Sequence, residues 1–477
     1  MFDAVLSSLA WLIYALLPDV WVDWIAGNPY SFAGLLLPIV IPLVVFQILP
    51  LLVLIERRGA AFIQDRAGPN RAYIYIPGLG IKLRAFGMIY NATDAVKLLF
   101  KESFTPPFVH KGYYFLAPTI PVITALLSLA LIPWFSPILY AVGDQLHRLN
   151  GQIINANSGL LLMFAMGGVG VYGVVLGAWA SNSKYSLLGG MRASAMMISY
   201  EVSMGLSVIG MLMLVGSLSL TDVVEWQGAH TWGIVVQPIG FLLFLVCQFA
   251  EANRNPFDVA EGESELVAGF HTEFNGVKFM LYMTAEYLHV IIASILLATL
   301  YLGGYQLLPL PGFGTDWLKA HLGLVAGIML AFTGVLVLGF AWLLTGRKKK
   351  VVGSAANAEI KAERAKEYNF YIALMSMAGL GAIAAGAACI ALVHTAGLGS
   401  GVAGQTVYPG WVNAVTALVQ FHILIGKAML FCWLFVWVRW TLPRFRYDQI
   451  MALGWKVMLN IALLNLLATA VIAKLVR

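Results

Sequence analysis

The sequence predicts an all-α protein, a polytopic transmembrane bundle of about ten spans with amphipathic helices at the membrane surface. Three observations carry that reading. Hydrophobic residues make up 60% of the 477 positions and charged residues only 11%, with a mean hydropathy of +0.83. That is too little charge to cover a soluble chain of this length. The apolar runs are about 20 residues long, the length of a spanning helix, and do not alternate as barrel strands do. Lysine and arginine also gather in alternate loops, as the positive-inside rule requires.

The first apolar run, residues 4–17, is short and is followed by Asp19, Trp21, Asp23 and Trp24, with Asp3 and no basic residue before it. It suits a segment lying on or partly in the membrane (residues 1–30) better than a cleaved signal. Spans are expected at 31–55, 113–134, 159–180, 194–216, 234–251, 278–303, 323–345, 369–394, 414–438 and 453–475. With the N-terminus outside, the inside loop 56–112 holds nine Lys/Arg, and the loop from Arg347 to Lys366 holds seven. Outside loops contribute only Arg148 and Lys319, with Lys474 and Arg477 at the far end. Both termini are therefore expected outside and the main loops inside. The net charge of +6 is accounted for by those loops and calls for no nucleic acid.

Within the first inside loop, Ala60 to Ile63 suit a short interfacial helix, and Arg66, Gly68, Pro69, Asn70 and Arg71 turn the chain away. Further on, Ala92, Val96, Leu99 and Phe100 share one helical face, with Asp94, Lys97 and Lys101 largely on the other. Such a helix can rest on the membrane, dock a partner or lie on a plain surface.

The stretch 250–274 carries six carboxylates, Glu251, Asp258, Glu261, Glu263, Glu265 and Glu273, with one arginine, Arg254, and Pro256 and Gly262 to interrupt any helix. Two readings are open: a solvated acidic loop, or a patch whose crowded charges hold protons near neutral pH. Four further groups lie deep in spans. Glu201 is about 13 Å along its helix from Arg192, Glu286 about 12 Å from Lys278 with His289 on much the same face, and Lys427 about 18 Å from Arg439. Glu251 closes the fifth segment, one turn beyond Gln248. Charges at such depth face a bundle interior, a partner or water. Each is open to a register-fixing ion pair or to a proton path.

Cys247, Cys389 and Cys432 stand singly in apolar runs, which argues against a zinc or iron–sulfur site in this chain. The cluster Gly167-Gly168-Val169-Gly170 lies inside a span and is read as helix packing, with Gly173 and Gly177 giving a small-xxx-small spacing.

Seven ordered blocks carry a resemblance. They are Glu56-Arg57 with Gln64 to Arg71; Asp94 to Lys97 with Lys101-Glu102; Ser181 to Gly189; Ile198 to Glu201; Ala250 to Arg254 with Pro256 to Asp258; Glu263 to Val267; and Leu442 to Gln449. In these the chain resembles the quinone-site membrane subunit (the H subunit) of proton-pumping NADH:quinone oxidoreductase, respiratory complex I, over residues 55–303 and from about 415 to the end.

The resemblance implies a subunit of a bacterial inner-membrane translocase with no redox centre of its own. Quinone is the substrate of the complex, and FMN, NADH and iron–sulfur clusters belong to partner subunits. The implied partners are the hydrophilic quinone-module subunits, the antiporter-like membrane subunits and membrane lipid. It implies further that Glu56, Arg66, Arg71, Arg254 and Phe257 belong to the quinone chamber or its interface. Glu201, Glu251, Glu286, Asp258, Glu261, Glu263 and Glu265 would form the coupling path, with Lys427 an additional intramembrane cation.

The family usually has eight spans, so residues 304–413 are expected to hold an inserted helix pair between a core of 31–303, with chamber loops 56–112 and 251–277, and a C-terminal segment of 414–477. Met88 and Asn460 stand where the family leads one to expect glutamine and proline. A homologous subunit of a membrane-bound hydrogenase or formate hydrogenlyase, a stand-alone ion transporter and a structural membrane anchor are the alternatives.

Overall fold

The first described helix, α1 (Pro29–Ile63), runs for 35 residues through three internal prolines, Pro38, Pro42 and Pro50. The computed structural model describes residues 29–66, 68–78, 81–142, 145–262, 266–308, 310–353, 358–393, 395, 398, 400–402 and 405–476. The expected surface segment 1–30 falls almost wholly outside them. Ala60 to Ile63 do not form a separate interfacial helix but extend α1. Ala60 and Ala61 are buried.

After α1 a hairpin, β1 (Ile74–Ile76) and β2 (Ile81–Leu83), precedes α2 (Met88–Phe100). α2 is pinned to α1 by Asn91, whose side chain donates to the Pro50 carbonyl at 2.7 Å, and by an Arg57–Asp94 pair at 2.5 Å. Its predicted apolar face stays open, with Val96, Leu99 and Phe100 exposed.

The bundle continues with α3 (Lys111–Leu116) running into α4 (Thr119–Ala130), then α5 (Gly159–Ala180), α6 (Lys184–Val215), α7 (Leu220–Ala229), α8 (Pro238–Glu251) and α9 (Val277–Tyr301). Next come α10 (Thr315–Ala320), α11 (Leu322–Gly353), α12 (Ala358–Leu392) and α13 (Gly410–Thr441). The chain ends with α14 (Tyr447–Ala452), a π-helical turn Leu453–Met458 and α15 (Leu459–Val476). Two further short hairpins join α4 to α5 and α12 to α13.

Among the described residues, nine helices are long and apolar enough to cross a membrane, consistent with the predicted polytopic bundle. The fifth expected segment differs. It breaks at Gln237, and only the 14-residue α8 follows. Pro238 opens that helix at a position that needs no N–H. Gln237 itself is held by Thr469 (2.7 Å) and Asn465 (3.1 Å) of α15.

At the centre lies α9, buried without interruption from Val290 to Tyr301 and packed among α4, α8 and α13. The pair α11 and α12 packs chiefly on itself and exposes much apolar surface. Its charged end grips the first loop. Glu363 pairs with Lys82 (2.8 Å) and Arg84 (2.6 Å), and Glu367 pairs with Arg84 (2.7 Å). The Tyr371 hydroxyl accepts from the backbone N–H groups of Arg84 and Ala85.

Candidate functional site

Residues 252–262, which leave the end of α8 and carry Arg254 and Asp258, are packed into the bundle rather than solvated. Ala252, Asn253, Arg254, Phe257, Asp258, Val259 and Ala260 are all buried. The chain after α13 straps them down: Phe445 N–H donates to the Pro256 carbonyl at 3.0 Å, Arg444 pairs with Asp258 at 2.7 Å, and Asn255 donates to the Arg439 carbonyl at 2.9 Å. The reading of this loop as a solvated acidic segment therefore fails for its described part. Glu263 and Glu265 lie outside the described residues.

Arg254 joins the loop to two spans. Its guanidinium reaches Glu56 of α1 at 3.7 Å and Glu286 of α9 at 3.9 Å, and it lies 4.3 Å from the Tyr287 ring centre. Glu56 is also paired with Arg439. Burial works against the charge of Arg254, but Glu56, Tyr287, Glu286 and Glu261 outweigh it and hold Arg254 above the ordinary arginine range. The Asp258 pKa rises as well, which for a carboxylate favours the neutral form. Burial first, then Glu261, push it up to about 7, against the pull of Arg444 and Arg254.

Two neighbouring cavities continue inward from this cluster. One, of about 30 Å³, is lined by Glu286, His289, Glu251, Ala252 and Asn253 among others. The other, of about 40 Å³, is lined by Glu251, Ala252, His289, Glu201, Gln248 and Gly167 among others. They share Glu251, Ala252 and His289. Each has largely apolar walls into which the carboxylates and His289 bring polar groups, and each has room for a few waters, taking about 10–15 Å³ for each. The three carboxylates Glu286, Glu251 and Glu201, from three different helices, thus line a track of two small cavities with common wall residues.

Two glycines of α5 stand against the carboxylates. A Cβ on Gly167 would stand 3.3 Å from Glu251 Oε1, and one on Gly168 would stand 3.3 Å from Glu201 Oε1. The expectation of helix packing is met at Gly173 and Gly177, where a Cβ would collide with Pro121 and Tyr282, but Gly167 and Gly168 face the carboxylates.

Not all the predicted residues come together. Arg66 and Arg71 are exposed on the first loop. Phe257 is a core residue, edge-on to Tyr200 and Phe445. Lys427 is apart from the track, donating to the carbonyls of Leu302, Gly304 and Gln306 beyond the end of α9. Conversely, the sequence gives Arg439 and Arg444 no place in the site, Arg444 entering only within the block Leu442 to Gln449, and their roles depend on contacts far along the chain. His289 was visible as a neighbour of Glu286 on one helical face, but nothing in the sequence pointed it at Glu251. Among the described residues no group of three or more His, Cys, Asp or Glu is placed to hold a metal ion.

The sequence model of the NADH dehydrogenase family matches residues 35–345 and 353–470, and so runs through both α11 and α12. Similar curated proteins include an H subunit (form 1) of the NADH-quinone oxidoreductase of Cytophaga hutchinsonii, 36% identical over 87% of this chain and 89% of that protein. The corresponding H subunit of Bdellovibrio bacteriovorus is 35% identical over 91% of this chain and 94% of that protein. That of Solibacter usitatus (form 1) is 34% identical over 93% and 97% respectively. With matches of this extent, which agree with the resemblance carried by the seven sequence blocks, the chain belongs to the NADH dehydrogenase family.

Proposed function

We propose that this chain is the membrane subunit of a proton-translocating NADH:quinone oxidoreductase that forms part of the quinone chamber and couples quinone reduction to proton movement through Glu286, Glu251 and Glu201. The observation that carries the reading is the pair of cavities sharing Glu251 and His289, with Glu201 at one end and Glu286 at the other. Buried carboxylates are tolerated where water or a partner accommodates their charge, and here water-sized cavities adjoin all three. The names of the relatives, H subunits of NADH-quinone oxidoreductase, support quinone as the substrate of the assembled complex.

In this mechanism partner subunits deliver two electrons to the quinone, which takes up two protons to become quinol. The loop 252–262 answers that change in charge. Asp258 gains or loses a proton near neutral pH, since its carboxyl is pushed up to about 7. Its pairing with Arg444 shifts with its charge, and the strapped loop carries Arg254 with it. Arg254 divides its attraction between Glu56 and Glu286, so a small displacement changes how readily Glu286 holds a proton. Glu251 and Glu201 then pass the bias along the track by proton transfer through water. The proposal includes Glu263 and Glu265 as loop carboxylates of the same chamber and Arg66 and Arg71 as its exposed interface. It also sets the protein in a bacterial inner membrane with the loops inside and both termini outside, against hydrophilic quinone-module and antiporter-like subunits.

The test uses the assembled complex in proteoliposomes. Glu201→Gln and Glu251→Gln are expected to leave assembly and NADH oxidation by artificial acceptors near wild type. Quinone-dependent proton translocation should fall by at least about tenfold, the scale of a lost proton-transfer group. Assembled variants with unchanged coupled turnover would reject the assignment.

A further inference from the structure

We infer that the cleft between the loop end of α1 and the charged end of the α11–α12 pair binds the phosphate of an acidic membrane phospholipid. The cleft is lined by four arginines, Arg58 of α1, Arg84 after the first hairpin, Arg347 of α11 and Arg364 of α12, with Glu367 and Asn70. The local carboxylates are already committed. Glu363 serves Lys82 and Arg84, and Glu367 serves Arg84 and Arg364, the latter at 3.3 Å.

Arg58 and Arg347 are left over. Arg58 makes one long hydrogen bond, 3.4 Å, to the Pro69 carbonyl, and its buried Nε has no partner. Arg347 stacks over Phe62 at 5.3 Å and has no carboxylate partner among the described residues. Arg84 is nine-tenths buried, and its Nε is likewise without a partner. Buried guanidinium N–H groups without acceptors are costly. A phosphate presents several acceptor oxygens in the geometry that guanidinium forks favour.

The position of the cleft selects a lipid over a soluble anion. It sits where two apolar spans end, Leu36–Ile63 and Leu322–Gly353. Exposed apolar side chains flank it: Phe62 and Ile63 on α1, Phe340 and Leu343 on α11. Phe340 is in edge contact with Phe86 of the cleft wall at 5.6 Å. A basic pocket beside exposed apolar helix surface at one membrane level matches a head group and its acyl chains together. The cleft volume of about 40 Å³ admits a phosphate group, so the rest of the head group would lie at the rim.

The experiment labels the purified, assembled complex with a photoactivatable phosphatidylglycerol and maps the modified peptides. Labelling of residues 340–351 and 58–66 is expected in wild type and in Arg347→Lys. It should fall by at least about tenfold in Arg347→Gln, the loss expected for a charge-assisted contact. Lys349→Gln removes the same charge from an exposed neighbour and should label as wild type, which separates a site from diffuse attraction. Excess unlabelled phosphatidylglycerol should compete, and phosphatidylcholine and inorganic phosphate should not. Undiminished labelling in Arg347→Gln would overturn the site. Equal competition by phosphatidylcholine would overturn its acidic selectivity, and competition by inorganic phosphate would reassign it to a soluble anion.

Discussion

Arg439, near the end of α13, donates a hydrogen bond to Glu56 near the loop end of α1, 383 positions earlier in the chain. α1 and α13 are thereby tied at the residue that also receives Arg254. The side chain of Glu56 is 9% exposed and that of Arg439 is 23% exposed. Loss of the carboxylate leaves the buried Arg254 paired with Glu286 alone among the described residues, at 3.9 Å, and Arg439 without its partner. Loss of Arg439 leaves the buried Glu56 still paired with Arg254. Glu56→Ala is therefore expected to destabilise the complex by about 3–5 kcal/mol, the cost of breaking a buried pair on one side, and Arg439→Gln by clearly less. Thermal unfolding of the purified complex measures both. Equal losses would show that Arg254 is satisfied without Glu56.

The glycines of α5 give a steric test of the track. Gly168→Ala would place a methyl 3.3 Å from Glu201, and Gly167→Ala would do the same beside Glu251. This is tight enough to displace a carboxylate or a water without breaking the helix, where alanine is the better residue. Quinone-dependent proton translocation should fall by about three- to tenfold, corresponding to roughly 1 kcal/mol of lost positioning, with assembly and thermal stability retained. Unchanged translocation in both variants would remove these glycines from the coupling path.

Much of this architecture was legible in the chain. Long apolar runs gave the spans because a helix in lipid must satisfy its own backbone. The depth of Glu201 and Glu286 followed from counting residues between charged ends. What escaped was whatever depends on partners distant in sequence. α8 is short because Gln237 turns aside to Thr469 and Asn465, more than 200 residues later. α1 continues through Ile63 with Ala60 and Ala61 buried against neighbours that no local pattern reveals. For the acidic loop, composition left a solvated segment and a proton-holding patch both open. Its burial rests on Arg444 and Phe445, whose pairing with Asp258 and Pro256 is a tertiary fact.

Asp258 gives the loop a pH dependence whose sign can be worked out. Its folded-state pKa, about 7, lies above its ordinary value of 3.8. Between those two values the folded state binds more protons than the unfolded one. The group's contribution is thus fullest at low pH and is lost as pH rises through about 7. Asp258→Asn lacks this titration. The thermal midpoint of wild type relative to Asp258→Asn is therefore expected to fall between about pH 5 and about pH 8. A difference that stays flat across the same interval would mean that Arg444 holds the carboxylate ionised, because the folded and unfolded states then carry the same charge throughout it.

Lys427 was open in sequence to a place in the proton path or to a structural role, and its contacts favour the second. Its ammonium donates to three carbonyls, Leu302 (2.6 Å), Gly304 (3.0 Å) and Gln306 (2.5 Å), beyond the C-terminal end of α9, and stands over the Trp232 ring at 4.5 Å. The end of a helix carries unsatisfied carbonyls and a partial negative charge, which a cation there offsets. Neither cavity of the carboxylate track includes Lys427. Lys427→Met should leave those acceptors short of a donor and destabilise the assembled complex by about 1–3 kcal/mol. The surviving complex should translocate protons at the wild-type ratio to NADH oxidised. A normal thermal midpoint with a lowered proton ratio would reverse the assignment and place this lysine in the coupling path.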